Sequence, residues 1–133
     1  MHHFGVLIPP TNTTAEIDYN RLLPSALRAH VGHIPLLSLG SAVHPGHGDD
    51  ALETQARLLG HAGLEVISLM QTTASLDSDD FDEIVVKRMR DAGGVPAVTA
   101  SPAIGHAVRA LGDRRIARVA TDDIPSIERV SHL

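Results

Sequence analysis

The stretch Gln71-Thr72-Thr73 follows an apolar run, Val66-Ile67-Ser68-Leu69-Met70, and leads into Ala74-Ser75. Hydroxyls crowded behind a core strand can bind a small anion through neutral donors, with no basic side chain required. As nucleophiles they are poor at neutral pH unless a base stands beside them. Neither His nor Lys adjoins Thr72 in the sequence. The chain contains no cysteine, which excludes a thiol nucleophile, a disulfide and a thiolate-metal site within it.

Histidine offers the rival chemistry. His30-Val31-Gly32-His33 and His44-Pro45-Gly46-His47 are both His-x-x-His, and Asp49 and Asp50 follow the second. Imidazole and carboxylate are ligands that zinc accepts. Neither pair lies on a clear helix, Pro45-Gly46 makes a turn, and no fixed-spacing metal signature is completed. We read both pairs as solvent-exposed loop histidines and expect no metal. His2-His3 reads as an incidental, unordered terminus and His106 as a surface residue. The acidic run Asp77 to Glu83 reads as charge at a helix start.

These residues are placed by an alternation of apolar runs and helical stripes. Strands are predicted over 4–8, 34–39, 65–70, 95–98 and 115–119. Thr13-Thr14-Ala15-Glu16 has the form of a capping box, with Tyr19, Leu22 and Leu23 on one side of the helix that follows and Pro24 as its stop. Leu52, Ala56 and Leu59 form a second stripe, closing near Gly63. Phe81, Val85, Met89 and Ala92 form a third, capped at Ser78 and stopped by Gly93-Gly94. Ser101-Pro102 opens a fourth, carried on by Ile104, Ala107, Val108 and Leu111. A last helical start falls near Pro125.

Strands separated by helices imply a single α/β domain over residues 1–133. The expected architecture is a three-layer, flavodoxin-like parallel sheet of about five strands with helices on both faces. Ligands of such sheets bind beyond the carboxyl ends of the strands. In this chain all five predicted ends carry Ser or Thr. Any one of these is explained as a helix cap; their gathering at one edge points to a small-anion site. Composition narrows the rest. Aromatics are 2% of the 133 residues and the formal charge is −5, so neither base stacking nor a basic stripe supports nucleic-acid binding. No run reaches membrane-spanning length. A cytoplasmic protein is expected.

The segments "GVLIPPTNTTAEIDYNRLLP", "GLEVISLMQTTASL" and "VPAVTASPAIGHAVRALGDRRIARV" occur in this order along the chain. Together they resemble the first lobe of the maleate cis-trans isomerase and arylmalonate decarboxylase family, within the aspartate/glutamate racemase superfamily. The resemblance implies a two-lobed α/β enzyme with its site between the lobes, acting on small carboxylates without metal or organic cofactor. It implies that Asn12 matches a substrate-carboxylate contact, and that Thr72 and Thr73 match the hydroxyl pair that cradles a carboxylate.

The chain departs from that pattern in three places. Gln71 stands at the position of the first-lobe Cys of the isomerases and racemases. The decarboxylases also lack that Cys and keep their single one in the second lobe, which has no counterpart in these residues. The family's Tyr after the fifth strand falls at Asp122. The sequence therefore describes an anion cradle without a nucleophile. Two functions are expected: a maleate isomerase- or arylmalonate decarboxylase-like protein, inactive as an isolated chain, or a non-catalytic carboxylate-binding domain derived from one. In the first, the missing wall comes from a second lobe in trans or from a homo-oligomer.

Overall fold

A computed structural model of the chain describes residues 1–34, 50–72, 75 and 79–112. The predicted strand over 115–119, Asp122 and the start near Pro125 lie outside the described residues, as do Thr73, Ser78, His44 and His47.

Among the described residues four strands form a parallel sheet. They are β1 (His2–Ile8), β2 (Leu27–His33), β3 (Ile67–Leu69) and β4 (Ala97–Thr99), in the order β2-β1-β3-β4. β1 is central, pairing seven residues with β2 from His2↔Leu27 to Ile8↔His33 and three with β3 from Gly5↔Ile67 to Leu7↔Leu69. Val6, Leu7 and Ile8 are all buried. This consecutive apolar run is what a strand covered on both faces requires.

The helices are α1 (Ala15–Leu22), α2 (Ala51–Gly60), α3 (Phe81–Gly93) and α4 (Ala100–Ala110). On one face Leu7, Ile67 and Leu69 pack with Leu52, Ala56 and Leu59 of α2 and with Phe81, Val85 and Met89 of α3. The second and third stripes read from the sequence are thus buried, Ala92 only in part, whereas α1 buries no residue fully. On the other face Phe4 meets Tyr19 of α1 edge-on, with ring centroids 5.8 Å apart. Helices on both faces make the fold a three-layer α/β domain.

Helices α2 and α3 cross where both lack a side chain. A Cβ on Gly60 would stand 2.1 Å from the Gly93 carbonyl oxygen, so only glycine permits the approach. Beside this crossing Arg88 of α3 grips Glu53 of α2 with two nitrogens, Nη2 donating to Oε2 at 2.9 Å and Nε to Oε1. Burial pushes the Glu53 carboxyl up, but its hydrogen bonds, that from Arg88 foremost, and the charges of Arg88 and Arg57 together hold it below its ordinary value.

Three sequence expectations shift. The second strand of the described sheet is at 27–33, a segment the sequence reading left unassigned; Ile34 follows it, buried, its N–H donating to the Ile8 carbonyl, and the rest of the predicted strand over 34–39 lies outside the described residues. That strand is held by its ladder to β1 more than by apolar content. The fourth helix begins at Ala100, so Ser101 is helical and not its cap, and Ile104 and Leu111 are exposed. His30 and His33 are strand residues rather than loop ones, and His2-His3 open β1. His3 and His30 share a ring-to-ring hydrogen bond of 2.8 Å, and His2 Nδ1 lies 2.7 Å from Glu65.

Candidate binding site at the carboxyl edge of the sheet

The turn after β1 brings the polypeptide back over the sheet edge. Pro9-Pro10 end the strand, and the Asn12 N–H donates to the Pro9 carbonyl at 2.9 Å. The side chain of Asn12 then does what the sequence assigned to a capping box at Thr13. Its Oδ1 accepts from the Ala15 N–H at 3.0 Å, the Thr14 N–H at 3.4 Å and the Thr14 hydroxyl at 3.3 Å. Backbone N–H groups only donate, so the atom facing them is the amide oxygen. The amide nitrogen is thereby turned away from the helix. Among the described residues it has no acceptor.

Asn12 lines a cavity of about 350 Å³ with Thr14, Ala15, Asp18, Tyr19, Leu22, Leu23 and Met70. The cavity opens where β1 and β3 end and runs along α1. Its apolar walls come from Ala15, Leu22, Leu23 and Met70, with four polar residues, Asn12, Thr14, Asp18 and Tyr19, among them. Tyr19 is half-buried, its hydroxyl donating to the Met70 sulfur at 3.3 Å. Burial raises its pKa above the ordinary phenol value, so the group stays a proton donor at neutral pH. Asp18 supplies a carboxylate at the exposed side.

Of the residues singled out from sequence, Asn12 lines this cavity. Thr72 lies beyond Met70, exposed, its carbonyl accepting from the Ser101 hydroxyl at 3.4 Å, which ties the loop after β3 to the start of α4. Thr73 lies outside the described residues. Gln71 is half-buried between Met70 and Thr72. At the end of β4 Thr99 is buried with its hydroxyl unpartnered among the described residues.

Sequence reasoning placed Tyr19 on one side of the first helix and Met70 in an apolar strand run, and overlooked both as cavity walls. The available signal was the helical spacing of Ala15, Tyr19 and Leu22 directly after Asn12. Among the described residues no group of three potential metal ligands gathers, and no helix is long and apolar enough to cross a membrane.

With this geometry in view, four likenesses can be set beside it. The arylmalonate decarboxylase family model matches residues 4–130. The chain is 35% identical over 117 residues to arylmalonate decarboxylase of Bordetella bronchiseptica, covering 85% of this chain and 47% of that protein. It superposes on unliganded arylmalonate decarboxylase with a TM-score of 0.78 at 27% identity, over 99% of this chain and 55% of that one. Maleate isomerase Iso from Pseudomonas putida S16 shares the fold, with a TM-score of 0.73 at 19% identity over 98% of this chain and 59% of that one. The chain thus spans about half the length of the relatives it matches.

Proposed function

The chain belongs to the arylmalonate decarboxylase family, and from that premise we propose that its residues form the carboxylate-gripping half of a cofactor-independent enzyme site for small mono- or dicarboxylic acids. The observation that carries this reading is the Asn12 amide. Its oxygen is committed to the start of α1, and its nitrogen, which has no acceptor among the described residues, is available to a ligand. Thr72 and Thr73 complete the cradle as further neutral donors, and Gln71 occupies the head of their loop without providing a thiol.

Chemistry at this site needs a group from outside these residues, because the chain holds no cysteine. A further segment or a second copy supplies the facing wall. The exposed apolar residues Ile17 and Leu22 of α1, Ile104 of α4 and Leu111 just after it support such a cover. The protein is taken as cytoplasmic, with small carboxylates as its partners and neither nucleic acid nor membrane among them. A second reading, a carboxylate-binding domain without catalysis, is favoured by the same lack of a thiol.

Calorimetry with malonate on the 133-residue chain tests the reading. Binding without turnover is the expected outcome, and Thr72→Val should weaken it by about 1–3 kcal/mol, the cost of stranding a polar partner. Unchanged affinity removes Thr72 from the site. Turnover of maleate or of an arylmalonate by this chain, free of contaminating activity, overturns the need for an outside group.

A further inference from the structure

We propose that the Tyr19 hydroxyl is a ligand donor of this site, exchanging the Met70 sulfur for a carboxylate oxygen when an acid binds. The proposal rests on the carboxylate reading above and adds a residue that the resemblance did not assign. Tyr19 now donates to a thioether at 3.3 Å, and a thioether is among the weakest acceptors a protein offers. A carboxylate oxygen in the same place makes a charge-assisted bond, about twice as strong as a neutral one. The exchange therefore runs toward the ligand.

The geometry suits that exchange. The Tyr19 ring is set by its edge contact with Phe4, so the hydroxyl is positioned before any ligand arrives. Met70 anchors its backbone by donating to the Leu7 carbonyl at 2.9 Å, while its unbranched side chain is free to swing aside. Asn12 lines the same cavity, so two neutral donors, one from the turn after β1 and one from α1, serve a single carboxylate. Asp18 also lines the cavity but is exposed to solvent, which screens its charge. The apolar remainder of the acid then lies against Leu22 and Leu23. Burial keeps the phenol protonated, as a donor must be.

The chain has one tyrosine and no tryptophan, so its aromatic emission reports Tyr19 directly. The probe is malonate, titrated into the full chain with binding followed both by calorimetry and by tyrosine emission. The expected result is quenching of the emission with the calorimetric midpoint, since a phenol bonded to a carboxylate emits less. Tyr19→Phe keeps the ring on Phe4 and should raise the Kd about 5- to 10-fold while leaving the melting temperature of the free protein in place. Malonate binding with unmoved emission and an unchanged Kd in Tyr19→Phe overturns the proposal and leaves the carboxylate reading standing. A shifted melting temperature with an unchanged Kd makes Tyr19 structural and overturns it too. No malonate binding by the unaltered chain removes both.

Discussion

The proposed site gives Asn12 two tasks, a helix-start acceptor through its oxygen and a ligand donor through its nitrogen, and two substitutions separate them. Asn12→Ala removes both ends. The lost oxygen takes away one good hydrogen bond, to the Ala15 N–H at 3.0 Å, and two long ones from Thr14. Removal of such a cap costs about 1 kcal/mol. Helix α1 has eight residues and buries none of them fully, so little packing compensates. Asn12→Asp keeps an oxygen toward the same N–H groups and adds a negative charge at the positive end of the helix, worth roughly 0.3–1 kcal/mol. Its other oxygen replaces the amide nitrogen, turning a donor into a like charge facing the bound carboxylate. That should cost about 2–3 kcal/mol of affinity, roughly a 30- to 150-fold rise in Kd.

Urea unfolding and malonate calorimetry on the same samples read the two effects. Both variants should bind malonate weakly, but only Asn12→Ala should be less stable. If Asn12→Asp binds malonate as the unaltered chain does, the amide nitrogen is no ligand contact. If it unfolds as readily as Asn12→Ala, the oxygen is no cap.

Two further outcomes follow from the scaffold. Gly60→Ala puts a methyl 2.1 Å from the Gly93 carbonyl oxygen; relief requires α2 and α3 to part by about 1 Å, so urea unfolding should show a loss of about 3 kcal/mol, and a loss below about 1 kcal/mol would contradict the crossing. Arg88→Met leaves the part-buried Glu53 carboxylate without its main partner and should cost about 1–3 kcal/mol at neutral pH. Because the folded Glu53 pKa is lowered from 4.5, the pair's contribution is complete above that value and is lost as pH falls through the lower folded one. The stability gap between Arg88→Met and the unaltered chain should therefore narrow as pH falls below 4.5; a gap constant down to strongly acid pH would exclude the ion pair as its source.

How far the sequence exposes this molecule depends on which force holds each part. Val6-Leu7-Ile8 and the stripes Leu52-Ala56-Leu59 and Phe81-Val85-Met89 are held by burial, and burial leaves a periodic apolar trace. Strand β2 leaves a fainter one: Leu27, Ala29 and Val31 alternate with Arg28, His30 and Gly32, and none of the three is fully buried. It stands at the end of the described sheet, joined to β1 through backbone groups that any side chain supplies, and the segment after it is the more continuously apolar. The site is harder still, because its polarity is a matter of direction. The letters at position 12 and its neighbours fit a cap, a ligand contact or both. Only the turn from Pro9 to Ala15 fixes which end of the amide meets the helix, and with it the identity of the atom left over. Tyr19 poses the same problem: its ring belongs to the packing with Phe4, its hydroxyl to the cavity. In both residues a structural role fixes one part of the side chain, and both residues line the cavity. Neutral donors held in this way bind an anion without a neighbouring cation, because little ordering remains to be done when the ligand arrives.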